Sequence, residues 1–83
     1  MDKILITLYV PLLEANYDIF IPQNKTIGYI IMNIQKGISE LSDDNFITSA
    51  RRILVSKKDG KVVDYNTYPS ESNILNGDTL ILL

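Results

Sequence analysis

The 83-residue sequence contains no cysteine and no histidine. Without cysteine there is no disulfide framework, so packing alone must hold the fold, a condition suited to a reducing cytosol. Losing both residue types also removes the usual zinc ligands, the thiol nucleophile and the one side chain that titrates unaided near neutral pH. Most small-enzyme chemistries go with them. Proline (3) and glycine (4) are sparse, hydrophobic residues make up 46% and charged residues 22%, which is the profile of an ordinary folded domain. A chain of this length supports one domain, residues 1–83, and buries only about 60% of the surface its unfolded form exposes. That leaves little room for a deep pocket.

Long apolar runs are also missing. Residues 4–13 are apolar apart from Thr7, yet this stretch is far too short to span a bilayer, only Lys3 precedes it as a basic residue, and no small-residue cleavage site follows. The expectation is a buried strand in a soluble, cytoplasmic protein with no membrane insertion.

What is present is periodicity. Alternate positions from Lys3 to Val10 place Ile4, Ile6, Leu8 and Val10 on one face and Leu5, Thr7 and Tyr9 on the other. A long loop at 11–16 leads to a second strand at 17–21, with Tyr17, Ile19 and Ile21 inward and Asp18 and Phe20 outward, closed by Pro22. The period then changes. From the N-cap residue Thr26, apolar side chains recur at Ile27, Ile30, Ile31, Ile34, Ile38 and Leu41, so a helix either ends at Gly37 in a left-handed cap or, as the unbroken spacing at Ile38 and Leu41 favours, runs on to about Leu41. A polar loop anchored by Phe46 and Ile47 follows. Strands are predicted at 51–56 and 61–64 around the turn Lys58-Asp59-Gly60, then an irregular stretch with Ile74 and Leu75 as core plugs, then a last strand at 79–83. This ββαβββ order is an α+β plan: one helix across a mixed sheet of four to five strands.

Several stretches carry a resemblance. "FIPQNKTIGYII" looks like the passage from second strand to helix in ubiquitin, with Ile21, Thr26, Ile27, Ile30 and Ile34 in matching places. "RRILVSKKDGKVV" is similar to the family's arginine-apolar strand and its glycine-lysine turn, here Gly60-Lys61. "SNILNGDTLILL" resembles the closing segment. Together these imply a ubiquitin-like β-grasp fold. In length and ending, with Ile74, Gly77, Asp78, Leu80, Leu82 and Leu83 matching, the chain resembles the bacterial ubiquitin-like proteins of the YukD/EsaB group, which are associated with type VII (WXG100) secretion. The resemblance implies an accessory or regulatory protein-binding module of that apparatus. Ubiquitin-like carriers that are conjugated or loaded with sulfur need a flexible Gly-Gly tail that can thread into an activating enzyme. Leu83 lies within the predicted last strand, so a non-conjugating, non-enzymatic role is expected; a carrier activated at its C-terminus and a homo-oligomeric structural module are the alternatives.

Strand alternation proposes where a partner would bind. With Ile53, Val55, Leu80 and Leu82 facing the helix, Leu54, Ile81 and Leu83 face outward and Leu5 joins them, an aliphatic cluster on the open sheet face where ubiquitin-like proteins carry their principal patch. Beside it lie five basic residues, Arg51, Arg52, Lys57, Lys58 and Lys61, against one acid, Asp59, in a chain of formal charge −2. They are either a solvated face or a rim that steers an acidic protein partner. Nucleic acid is a poorer match, because the chain is acidic overall and no recognised binding motif accompanies the strip. The pair Asp43-Asp44 lacks EF-hand spacing, Ser70, Ser72 and Glu71 have no base beside them, and Tyr65 and Tyr68 suit loop packing. No cofactor, metal or catalytic residue is expected, and the chain should be a monomer or weak homodimer.

Overall fold

The computed structural model describes residues 3–43 and 46–83. Strands β1 (Lys3–Val10) and β2 (Ala15–Pro22) are followed by helix α1 (Ile27–Leu41), then by strands β3 (Leu54–Ser56) and β4 (Thr79–Leu82). The sheet order is β2-β1-β4-β3, with β1 and β4 parallel and the other pairs antiparallel. Sheet and helix enclose one cluster of buried side chains, among them Ile6, Leu8 and Val10 of β1, Ile27, Ile30 and Ile31 of α1, and Leu80 and Leu82 of β4.

The first hairpin is tighter than its sequence suggests. Pro11 opens a single 3-10 turn, and Glu14, in the left-handed region at φ 50°, donates its N–H to the Pro11 carbonyl at 3.0 Å. Strand β2 therefore begins at Ala15, and the full lengths of β1 and β2 pair. The helix starts as expected: the Thr26 hydroxyl accepts the Tyr29 N–H at 3.3 Å, which satisfies one of the otherwise unpaired first-turn donors. It passes through Gly37 and ends at Leu41, with Ser42 N–H bonded to Ile38 O. The apolar stripe is inward as far as Ile38. Leu41 is 73% exposed, because the last turn lies at the mouth of a groove between α1 and β2 rather than over the core.

After the helix the expected strands shrink. Residues 51–53 lie outside β3, and 61–64 contribute one bridge, Val55 to Val62, in place of a strand. The turn between them does form, with Gly60 at φ 69° and its N–H bonded to Ser56 O at 2.8 Å. A buried glutamine organises the stretch before β3: Gln35 donates through Nε2 to Ser49 O at 2.9 Å and accepts Ser49 N–H on Oε1 at 2.7 Å. Both halves of the amide are used, so a fully buried polar side chain is satisfied and the segment is pinned to the helix. Phe46 and Ile74 fill the core as expected, whereas Ile47 and Leu75 point to solvent. Tyr65 packs on the helix start: its carbonyl accepts Gly28 N–H at 3.1 Å, and a Cβ at Gly28 would sit 3.4 Å from the tyrosine ring. The chain enters β4 through Gly77, whose φ of 91° suits glycine alone among common residues and whose N–H bonds Leu5 O at 2.7 Å.

Candidate protein interface

The parity of β3 decides which side chains reach the open face of the sheet. Leu54 pairs with Leu82, both are buried, and Val55 pairs with Ile81 on the opposite face. Leu54 is 0% exposed, so it leaves the candidate interface; Ile53 and Val55, expected inward, replace it. Two features of the sequence hid this. Ile53, Leu54 and Val55 are consecutive aliphatics, so hydrophobicity does not choose between registers one residue apart. Ser56 shares a face with Leu54 and suggests solvent, yet it is itself buried at 4% exposure.

The outer face is then ordered by register. Tyr9, Ile81, Val55 and Val62 form one continuous cross-strand row, since Tyr9 pairs with Ile81, Ile81 with Val55 and Val55 with Val62. Ile53 and Leu83 form the next row, each bonding the other's main chain at 3.0–3.1 Å. Val62 and Leu83 (52%) are exposed and the other members of these rows are half-buried, and among the described residues no helix or strand is laid over them. The expected company of Leu5 differs. A polar row of Asp18, Thr7 and Thr79 intervenes, and Thr7 Oγ1 donates to Asp18 Oδ1 at 3.1 Å. Leu5, 37% exposed, pairs instead with Phe20, and by strand rise it lies about 20 Å from the level of Leu83. The aliphatic cluster is thus a main patch around Ile81 and a small second one at Leu5.

The five basic residues also separate. Lys58 Nζ makes an ion pair with Asp78 Oδ2 at 2.8 Å and donates to Asn73 O at 2.6 Å, tying the β3 turn to the entry of β4. Asp78 also accepts Leu75 N–H at 2.9 Å, and the Lys58 ammonium together with that amide holds its carboxyl below the ordinary value. Arg52 stacks over the Phe46 ring at 4.2 Å and donates to Ile47 O at 2.8 Å. These two cations brace loops. Lys57, level with Thr79 and one position beyond Ser56, lies on the outer face beside the apolar row, and Arg51 and Lys61 are exposed at its margins. Three basic side chains remain as a rim.

Residues considered for chemistry serve local structure. Glu71 Oε1 accepts Tyr68 N–H, Ser72 and Thr67 share a hydroxyl hydrogen bond, and the Tyr65 hydroxyl reaches the carbonyls of Ala50 and Arg52. Among the described residues no group of three or more acidic side chains could hold a metal ion; Asp44 lies outside them. No helix among them is long and apolar enough to cross a membrane.

No family model and no curated protein matches the sequence. Solved structures do match in three dimensions. The EccD5 ubiquitin-like domain from Mycobacterium xenopi superposes with a TM-score of 0.80 at 15% identity, over 100% of this chain and 94% of that one. A chain of the MycP5-free ESX-5 inner membrane complex gives 0.80 at 11% identity over 100% of this chain and 21% of its own length. The N-terminal ubiquitin-like domain of the 4931431F19Rik protein gives 0.69 at 20% identity, covering 99% and 74%. One helix packed across a four-stranded mixed sheet, with these neighbours, makes the fold of this chain the ubiquitin-like β-grasp.

Proposed function

We propose that this protein is a ubiquitin-like binding module that recognises another protein through the outer face of its sheet, and that it serves in the bacterial cytoplasm as an accessory or regulatory component of a type VII secretion apparatus. One observation carries the docking face: the uncovered row of Tyr9, Ile81, Val55 and Val62 joined to Ile53 and Leu83. Half-buried aliphatic and aromatic side chains in a contiguous group, edged by cations, are the anatomy of an interface with an apolar centre and polar rim. Lys57, Arg51 and Lys61 supply that rim and favour an acidic margin on the partner. The secretion role is supported by likeness in fold to the EccD5 domain and to a chain of the ESX-5 inner membrane complex, together with the YukD/EsaB-like ending.

The test is a pair of substitutions read by copurification from the native cells. Ile81→Asp puts a charge at the centre of the patch and should weaken capture of the partner by about 30-fold or more, as expected for a central interface residue. Lys36→Asp on the exposed side of α1 should leave capture unchanged. Circular dichroism of both variants checks that each is folded. Equal capture by Ile81→Asp and the parent chain would remove this face from consideration.

A further inference from the structure

The two edges of the sheet are finished differently. The outward side of β3 is occupied by the Val62 bridge, with Ser56 N–H bonded to Lys61 O at 2.9 Å and Val63 N–H to Leu54 O at 2.8 Å. On β2 there is β1 on one side and, among the described residues, no strand on the other. Leu5 O and Thr7 N–H bond to Gly77 and Asp78, so the odd-numbered residues of β1 aim their main chain at β4 and the even-numbered ones at β2. Their partners are Ala15, Tyr17, Ile19 and Ile21. Asn16, Asp18 and Phe20 consequently direct N–H and C=O groups away from the sheet, and Pro22 directs a carbonyl only.

Exposed edges are usually blunted by lysine, an internal proline or a bulge. β2 has no lysine and a single charge, Asp18, whose carboxylate accepts the Thr7 hydroxyl; its proline is the last residue, and it pairs with β1 residue for residue without a bulge. Beside it runs an apolar groove of about 260 Å³, walled by Tyr17, Ile19 and Ile21 of the strand and by Ile34, Ile38 and the exposed Leu41 of α1.

We propose that β2 pairs antiparallel with β2 of a second copy, joining two four-stranded sheets into one across a two-fold axis. Symmetry and the outward-pointing residues leave few registers. Placing Asp18 opposite itself sets two carboxylates face to face. Placing Phe20 opposite itself pairs Asp18 with Pro22, which has no N–H, and carries Asn16 past the end of the other β2, so the ladder is shorter. The register between them sets Ile19 against Ile19 and Asp18 against Phe20. In it Asp18 and Phe20 exchange both main-chain hydrogen bonds with their counterparts, and Asn16 donates to the Pro22 carbonyl, so the proline is needed only as an acceptor. On the helix side, Tyr17 meets Ile21 of the other copy, an aromatic and β-branched cross-strand pair, and the open flanks of both grooves face each other. Past the strand ends, where residues 23–25 turn and the register no longer applies, antiparallel pairing still puts the end of β2 that follows Glu14 beside the end that precedes Lys25 of the other copy, opposite charges repeated by symmetry, although Lys25 lies over the Tyr29 ring of its own chain. A second copy is thus the occupant for which this edge is self-complementary in both hydrogen bonding and charge.

Sedimentation equilibrium of the full chain between about 10 μM and 1 mM, the range of a weak pair, should show the mass rising from 9.4 kDa toward twice that value. Over the same range the amides of Asn16, Asp18 and Phe20 should become protected from hydrogen exchange. The register is read by charge. Phe20 is 62% exposed, so Phe20→Lys and Phe20→Glu both keep the fold. Lysine there faces Asp18 of the other copy twice and glutamate repels it twice, so the dissociation constants should differ about tenfold, lysine tighter, with the gap closing in 1 M salt. A constant 9.4 kDa mass overturns the proposal, as does binding of an unrelated extended peptide to β2 by a chain that never self-associates. Equal dissociation constants for the two variants, or concentration-dependent shifts centred on Ile81 and Val55 instead of β2, also overturn it.

Discussion

The two faces of the sheet are built from the same residue types and differ in what covers them. Toward α1, Ile6, Leu8, Val10, Leu54, Leu80 and Leu82 are all buried to within 1%. Away from it, Tyr9, Ile53, Val55 and Ile81 are half-buried and flanked by exposed Val62 and Leu83. Composition alone does not distinguish these sets. What separates them is whether the fold supplies a layer above, and the outer set is left without one. Stability should therefore reside in the inner face and recognition in the outer.

Substitution can break that division. Leu80→Ala removes a side chain with no solvent exposure from the middle of the core, and should lower the unfolding free energy by about 2–5 kcal/mol in a denaturant titration. Leu54→Ala should fall in the same range. Gln35→Ala comes next: with the amide gone, Ser49 loses a partner for both its N–H and its carbonyl, costing about 1–3 kcal/mol and making residues 46–53 more sensitive to protease. Val55→Ala, one residue from Leu54 and on the other face, should cost no more than about 1 kcal/mol, within the span of substitutions on half-buried strand surface. If Leu54→Ala and Val55→Ala cost the same, the assigned parity of β3 is wrong.

The smallest effect concerns the one ion pair found among the described residues. Asp78 has a carboxyl pKa lowered from 3.8 by Lys58 and by the Leu75 amide. A folded pKa below the unfolded one gives stabilisation that is present above about 3.8 and is lost as pH falls through the lower folded value. Lys58→Met should lower stability slightly at neutral pH, where the pair is charged, and leave it unchanged in strong acid, so that the limb below pH 4 flattens; partial solvation of the pair keeps the effect small.

Much of the fold was legible because its signals were local. The alternation in β1 and β2, the Thr26 cap and the stripe from Ile27 to Ile38 each arise within a few residues, and each is realised. The part that was not legible depends on partners distant in sequence. Whether Leu54 or Val55 faces the helix is fixed by pairing with β4, some 28 residues on, and the clamp on Ser49 comes from a glutamine 14 residues earlier. Val62 joins the patch through a single bridge across the turn that the sequence predicts, although the strand expected at 61–64 shrinks to that bridge. Alternation in β1 places Leu5 outward, and it is 37% exposed, yet its neighbours are set by the parallel register of β1 and β4, which places Thr7 beside Thr79 and keeps Leu5 from Leu83. The basic strip is visible in the sequence as charge, but Arg52 and Lys58 are engaged by Phe46, Ile47, Asn73 and Asp78, all too distant in sequence to leave a local signal.

Site-specific photocrosslinking in the native cells addresses the outer face most directly. With a photoreactive residue placed in turn at positions 81, 55 and 36, the first two should yield one and the same protein adduct and the third, on the exposed side of α1, should not. An adduct formed from position 36 and absent from 81 and 55 would place recognition on the helix and contradict the division of labour between the two faces.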